Sequence, residues 1–342
     1  MKLSDFTYNL PPERIAKYPP KVRGDAKLLV LDRKNKTMQH RSYRDFAEYV
    51  QPGDVVVLNN TKVIKARLRA KKENDANIEL LVLEKHSGDV DLENQPCIYK
   101  GKLNQGESLK VKGYTVKVSR IEDGIAYISN EEDLFSLAAR YGEVPIPPYL
   151  KRDSERIDEE RYQTVFAEDE GSIAAPTASL NFTDDLRQKI NNQGGKIAHV
   201  TLHVGMGTFA PVREEKIEDH KMHEEHYFIP ADTLESVREA KKNGRSIFAV
   251  GTTVTRTLEH AASKILNVSS ANFIEDEADI FIYPGYEFKI VDHLLTNFHA
   301  PNTTVLLMAA AFAGWGNLKS AYEEALSNDY KFLSYGDSML MM

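Results

Sequence analysis

Chemistry in this sequence is offered first by histidines. In "HKMHEEH", His220, His223 and His226 recur every third residue, a spacing that keeps them near one face if the segment is helical. Imidazoles beside Glu224 and Glu225 are a donor set for a metal, but the order is not HExxH, and no metal is expected. "TNFHAPNTT" sets Asn297 and His299 just ahead of an apolar helical run, where helix capping and acid–base work are both open. Three junctions of small and hydroxyl residues suit a ligand better: "GMGTF", "GTTVTR" and "SIAAPTASLNFT". Glycine lets backbone approach a ligand closely, and a helix N-terminus offers unpaired N–H groups. In the third junction Pro176 fixes a bend, Thr177 and Asn181 add polar side chains, and Thr183 is a helix N-cap. Upstream, "RYQTVFA" carries Arg161, Tyr162 and Gln163, which could pack, hydrogen-bond or stack on a nucleobase. GxxxxGK[ST] is absent, which argues against a P-loop nucleotidase.

These groups need elements to hold them. Between about residues 55 and 130, short apolar runs alternate with turn residues at Asn74-Asp75, Ser87-Gly88, Gln105-Gly106, Lys112-Gly113 and Asp123-Gly124. Strands so spaced, with no helix between them, predict a small antiparallel barrel or sandwich. Pro145, Pro147 and Pro148 then stop regular structure. Beyond residue 160 strand and helix alternate. "DDLRQKINNQ" reads as helix, "KIAHVTLHV" as strand, "ADTLESVREAKKNG" as helix, "SIFAV" as strand, "TVTRTLEHAASK" as helix, "DIFIY" as strand and "NTTVLLMAAAFAG" as buried helix. "YRDFAEYV" reads as helix and "DVVVLNN" as strand. The fold class is therefore α/β, a mostly parallel mixed sheet with helices on both faces, interrupted by a small antiparallel β-barrel. The boundaries read are 1–60 and 150–342 for the discontinuous α/β domain and 61–149 for the insert.

Composition excludes several classes. With 342 residues, 42% hydrophobic and 28% charged, the chain can bury two cores. It shows neither an apolar run long enough to span a bilayer nor a signal-peptide layout, so a cytoplasmic protein without a membrane partner is expected. One cysteine, Cys97, leaves no internal disulfide. The net charge of −7 hides an asymmetry, because residues 1–120 hold 24 Lys and Arg against 15 Asp and Glu. The densest basic run contains Lys62, Lys65, Arg67, Arg69, Lys71 and Lys72. On a strand, Lys65, Arg67, Arg69 and Lys71 share one face, either a solvated surface or a contact for phosphates.

Taken in order, "FTYNLPPERIAKYP", "LNNTKVIKARL", "GEVPIPPYLKR", "RYQTVFA", "GSIAAPTASLNFT", "HVTLHVGMGTFAPV", "HKMHEEHY", "AVGTTVTRTLE", "DIFIYPGYEFKIVDHLLTNFHAPNTT" and "YKFLSYGDSML" resemble one family nearly end to end. That family is the S-adenosylmethionine:tRNA ribosyltransferase-isomerases of queuosine biosynthesis. The resemblance implies that the ribosyl part of S-adenosylmethionine is transferred and isomerised onto the 7-aminomethyl group of a 7-deazaguanine at the tRNA wobble position. Epoxyqueuosine tRNA forms, and adenine and methionine leave. S-adenosylmethionine is then a consumed substrate and not a cofactor, tRNA is the partner, no metal is required, and the chain is expected to be a monomer.

Such a reaction needs a base for the ribose 5′ proton, an acid for departing adenine and an oriented amine. His203, His223, Glu224, Asp292 and His299 lie in the matching motifs as candidate acids and bases, and their sequence does not rank them. Gly205, Gly207, Thr208, Gly251, Thr252 and Thr253 are the expected cradle of the donor, and Arg256 could reach its carboxylate or lie in a surface salt bridge. Tyr162, Gln163, Pro176, Thr177, Asn181 and Asn297 complete the expected substrate contacts, and Lys62, Lys65, Arg67, Arg69 and Lys71 the expected tRNA contacts. The family pattern usually reads AAPTAGLHFT, so Ser179 replaces Gly and Asn181 replaces His. An amide does not titrate, so an obligatory His acid or base there would be lost. A diverged member with another deazaguanine acceptor or reduced activity, a non-catalytic tRNA binder, and a metal hydrolase built on "HKMHEEH" are the rival readings.

Overall fold

A computed structural model describes residues 1–83, 91–205, 212, 214–267 and 272–342. The chain opens with the hairpin β1 (Lys27–Asp32) and β2 (Thr37–Ser42), then β3 (Val55–Asn59), which is buried throughout. After the short β4 (Thr61–Val63) come β5 (Arg67–Lys72), β6 (Asn77–Val82), β7 (Gln95–Lys100), β8 (Ser108–Val111), β9 (Tyr114–Glu122) and β10 (Ile125–Ser129). Helices α1 (Leu134–Tyr141) and α2 (Arg156–Arg161) lead back to β11 (Asp169–Ser172), α3 (Asp184–Asn192) and β12 (Lys196–Leu202). β13 (Glu225–Pro230), α4 (Ala231–Lys242), β14 (Ile247–Val250), α5 (Thr252–His260), α6 (Ala262–Asn267) and β15 (Phe273–Ala278) follow. The chain finishes with β16 (His293–Asn297), α7 (Thr304–Ala313), α8 (Trp315–Ser327) and β17 (Ser338–Met341).

The large sheet runs β15-β13-β12-β3-β14-β16-β17-β1-β2. Its centre, β12-β3-β14-β16, is parallel, and the pairings of β13 and β15 on one flank and of β2 on the other are antiparallel. Period-two alternation sends residues to opposite faces. Leu29, Leu31, Val55 and Val57 enter one core with α4, α5, α7 and α8, while Leu28, Val30, Val56 and Leu58 enter another beneath α3. Both faces are covered, which is why β3 is apolar from Val55 to Leu58.

β5 to β10 close into a barrel in the order β10-β7-β6-β5-β8-β9. Leu68, Leu80, Cys97, Val116 and Ile128 point inward, and α1 closes one end with Leu134, Leu137 and Ala138. Cys97 is a buried hydrophobe whose thiol pKa is raised by burial. β4 and β11 pair in parallel at the foot of the barrel.

Several local expectations are corrected. Tyr43–Tyr49 is a 3-10 helix and not an α-helix. The strand expected at "DIFIY" lies one step earlier, at β15, which pairs with β13, whereas residues 279–283 have no regular structure. The expected long helix after Gly251 breaks at Ala261 into α5 and α6. "HKMHEEH" is not helical. His220 ends a short 3-10 turn, His223 lies in irregular chain and His226 sits in β13. Thr183 does cap α3, its hydroxyl accepting from the Leu186 N–H at 3.2 Å.

Candidate functional site

β3 is the point where the parallel order turns, with β12 on one side and β14 on the other. A crevice beyond the carboxyl ends of such strands is where an open α/β sheet binds ligands. A cavity of about 370 Å³ lies there. Gly251, Thr252 and Thr253 enter it from the end of β14, Asn297 and His299 from the end of β16, and Pro176, Thr177 and Ala178 from the "SIAAPTASLNFT" segment. Gly251 has φ +104, and a Cβ there would stand 3.5 Å from the Ala178 Cβ. No side chain caps α5, so its N-terminal N–H groups remain free of a side-chain acceptor.

Polar side chains fix the rim. Thr177 donates to Asn297 Oδ1 at 2.9 Å. Asn59, at the end of β3, donates to Leu202 O at 2.9 Å and Thr253 Oγ1 at 3.2 Å, and accepts from Leu202 N at 3.1 Å. Asn59 thereby ties β3 to β12 and turns the Thr253 hydroxyl. Tyr149 and Ser334 bond to each other across another part of the rim, and burial raises the Tyr149 pKa to about 12. Asn59, Tyr149, Thr296 and Ser334 had no individual signal in the sequence, although Asn59 and Tyr149 lie within the motifs "LNNTKVIKARL" and "GEVPIPPYLKR".

His299 lines the cavity with its Nε2 3.0 Å from Thr296 Oγ1. Its N–H donates to Tyr322 Oη at 2.9 Å, and its carbonyl accepts from Tyr8. Burial holds its pKa down at about 3, so the ring is neutral and can hydrogen-bond but is a poor proton acceptor. His203 faces the other way, into a cleft of about 520 Å³ between the barrel and the large sheet. Its Nδ1 is 2.8 Å from Thr61 Oγ1 and its ring stacks on His226 at 6.4 Å. Burial, and then His226, lower its pKa. A Cβ on Gly171 would stand 2.9 Å from His203 Cε1, so a side chain there would push the ring out of this position. The next residue, Val204, lines the cavity, so cavity and cleft share one wall.

The other candidates are dispersed. Asp292 lies at the opposite end of β16, accepting from Lys241 Nζ at 3.1 Å and the Ile247 N–H at 2.8 Å. His223 and Glu224 are exposed and line neither space. Arg256 is buried and pairs with buried Glu225, which corrects the surface salt bridge considered for it. Arg256 also donates to Ala278 O at 2.8 Å, and Glu225 accepts from the Gly205 N–H at 3.0 Å. Gly207 and Thr208 lie outside the described residues. Tyr162 is fully buried in a T-shaped contact with Tyr335 at 5.9 Å, so its ring offers no face to a base. Gln163 lines the cleft, but its amide is spent on the Val63 backbone, at 3.0 and 2.8 Å. Asn181 is buried and donates to Gly336 O at 3.4 Å, and Ser179 is buried with its hydroxyl unpartnered.

On β5, Arg69 and Lys71 share the exposed face as expected, with Lys65 just ahead of the strand, whereas Arg67 is buried and donates to Ile146 O at 2.8 Å, which corrects it as an exposed phosphate contact. Each is matched by carboxylates. Lys62 meets Glu170 at 2.8 Å, Lys65 Glu159 at 3.1 Å, Arg67 Glu79 at 3.3 Å and Lys71 Asp75 at 3.7 Å. Arg69 meets Glu79, Glu143 and Asp153. Among the described residues no three His, Cys, Asp or Glu converge as a metal site, and His220 and His226 turn to separate partners, Glu214 and Glu275. No described helix is long and apolar enough to cross a membrane.

Comparison with known proteins agrees with this architecture over its whole length. The chain is 53% identical to an S-adenosylmethionine:tRNA ribosyltransferase-isomerase of Chlorobaculum parvum, and the match covers all of both chains. It is 47% identical to the protein of that name from a Sulfurihydrogenibium species, again over all of both. A crystal structure of an S-adenosylmethionine tRNA ribosyltransferase from Thermotoga maritima superposes with a TM-score of 0.57 at 33% identity, covering 99% of this chain and 100% of that one. The family described as queuosine biosynthesis protein matches residues 3–341, and the chain belongs to it.

Proposed function

We propose that this chain is an enzyme that transfers and isomerises the ribosyl moiety of S-adenosylmethionine onto the 7-aminomethyl-7-deazaguanine of tRNA, releasing adenine and methionine. The observation that carries the reading is the cavity beyond β14 and β16, in a chain whose relatives bear that name throughout their length. Its walls are largely apolar, with Val204, Phe298, Val305 and Leu333 among them, and set into them are a few hydroxyls and amides from Thr177, Thr253 and Asn297, with the N-terminus of α5 at one side. That composition suits a donor with a carboxylate and a ribose to be held while its sulfonium-activated C5′ proton is exposed. Gly251, Thr252, Thr253, Thr177 and Asn297 hold the donor. Neutral His299 orients it by hydrogen bonding, and Arg256 with Glu225 braces α5 from behind.

The acceptor base enters from the cleft, where His203 is the acid–base group best disposed to act. Its neutral form is favoured by burial, and it sits on the wall common to both spaces. Residues 61–149 act as the inserted unit that presents tRNA to the unit formed by 1–60 and 150–342. The reading places the chain in the cytoplasm as a monomer. Adenine release from S-adenosylmethionine is the test. It should require tRNA bearing the aminomethyl-deazaguanine, and folded protein that releases none with that tRNA overturns the reading. His203→Gln should remove turnover while leaving donor binding in place.

A further inference from the structure

The strand that suggested RNA contact from sequence has its charges answered by carboxylates, but a second basic region of the barrel does not. Lys100, Lys110, Lys112 and Lys117 are exposed and form no ion pair among the described residues. Between residues 100 and 117 the only acidic side chain is Glu107, which is taken by Lys72 at 2.8 Å. Lys110 stands directly opposite Lys71 across β5 and β8, and Lys117 lies opposite Ser108 on β9. Like charges directly opposed on a sheet are destabilising, so the Lys71–Lys110 pair persists at a cost. Lys112 and Gly113, with φ +48 and +96, make the tight turn that joins β8 to β9.

Beside that turn lies an aromatic pair. Tyr114 and Tyr141 are 40% and 36% exposed, unusual for such large rings. Their centroids are 5.5 Å apart and tilted by 44°. The Arg140 guanidinium lies 5.8 and 5.7 Å from the two rings and is itself anchored by Glu132. Tyr141 ends α1, the helix whose Phe135, Ala138 and Ala139 wall the cleft that His203 enters. Rings that no core requires, braced by a cation and placed at the β8–β9 turn whose strands carry exposed lysines, are what a protein offers to unstacked bases. Every base has a π face, and the phosphates between bases seek the charge.

We propose that Tyr114 and Tyr141, with Arg140, form a stacking platform for unpaired bases of the RNA substrate, and that Lys110, Lys112 and Lys117 hold the adjoining phosphates. The platform leads the loop along α1 into the cleft. It rests on the tRNA reading above and moves the RNA surface off β5.

The experiment measures binding of an anticodon stem–loop RNA by anisotropy over a salt series, together with adenine release using modified tRNA. Tyr114→Ala and Tyr141→Ala should each weaken RNA binding about tenfold, the effect of one lost base stack, with little change in salt dependence. Phe at either position should restore binding. Lys110→Gln, Lys112→Gln and Lys117→Gln combined should flatten the salt slope by about 2, at roughly 0.7 per single-strand phosphate contact. KM for tRNA should rise in both sets while KM for S-adenosylmethionine holds. Folded Ala variants that bind as tightly as the parent overturn the platform, as does a loss at Lys65→Ala or Arg69→Ala equal to that at the tyrosines. Should the Ala variants not fold, the lysine triple decides alone, and an unchanged salt slope overturns the proposal. A parent that binds and turns over while the variants behave like it sinks only the platform. A parent that neither binds tRNA nor releases adenine sinks the activity as well.

Discussion

The cavity beside the large sheet and the outer wall of the barrel solve opposite problems. The cavity is a recess lined mostly by apolar side chains, with a few placed hydroxyls, amides and a neutral imidazole, and the nearby Arg256 is already paired to Glu225. The barrel wall is open and densely charged, yet on β5 every cation has a carboxylate. Against largely apolar walls an unpaired charge is costly, so recognition falls to dipoles and shape. In water an ion pair is worth about 0–1 kcal/mol, so such pairs decorate a surface cheaply and affect partner choice more than stability. Charge density in the sequence therefore pointed at β5, while the charge available to a partner is elsewhere on the same barrel.

If the two regions differ in this way, disturbing the buried groups around the cavity should be far more damaging. The largest effect is expected for Arg256→Met, which strands Glu225 without its cation and should cost about 3–5 kcal/mol, read from a denaturant midpoint. A fall no greater than that of an exposed β5 arginine would erase the contrast. Gly251→Val comes next. Its φ of +104 and the nearby Ala178 make a branched side chain strained by about 1–3 kcal/mol, and KM for S-adenosylmethionine should rise steeply.

The pH dependence should be carried by the buried histidines of this region too. His299 takes a proton only near pH 3 when folded, against the ordinary 6.5. Between those values the unfolded chain binds the extra proton, so the contribution is whole above about 6.5 and is lost as pH falls towards 3. His203 acts in the same direction, its pKa lowered by burial. His299→Gln should flatten the acid limb of a stability–pH curve, and an unchanged limb would deny the burial argument. The smallest effects belong beneath the cavity. Ser179→Gly removes a hydroxyl without a partner and should shift stability within about 0.5 kcal/mol. Asn181→His should give no gain in turnover, because the native amide already points at Gly336 O and not into the cavity. A large gain would mark the native chain as an impaired or repurposed member.

Period-two burial, turn residues and helix caps were enough to read the barrel, the central strands β3, β12 and β14, and the helices α3, α4 and α7 from the sequence, because those signals are local. The three small-residue junctions were legible for the same reason, and the two that are fully described, at Pro176–Ala178 and Gly251–Thr253, meet in the cavity. What stayed hidden depended on partners far along the chain. The three-residue spacing in "HKMHEEH" would align its histidines only on a helix, and β15 instead claims Glu225 and His226 as the start of a strand. Tyr162 looks available until Tyr335 and Val63 bury it, and Arg256 looks like a surface group until Glu225 closes on it. Asn59 carries no signal of its own in the strand "DVVVLNN" until β12 and α5 converge on its amide. Lys65 and Arg69 look like an RNA surface until Glu159, Glu143 and Asp153 arrive from sequence more than 70 residues away. Residue type and spacing thus determined which chemistry the chain could hold and which elements would carry it. Tertiary structure alone decided which groups stay free to act, since burial, pairing and pKa are set by neighbours that only folding brings together.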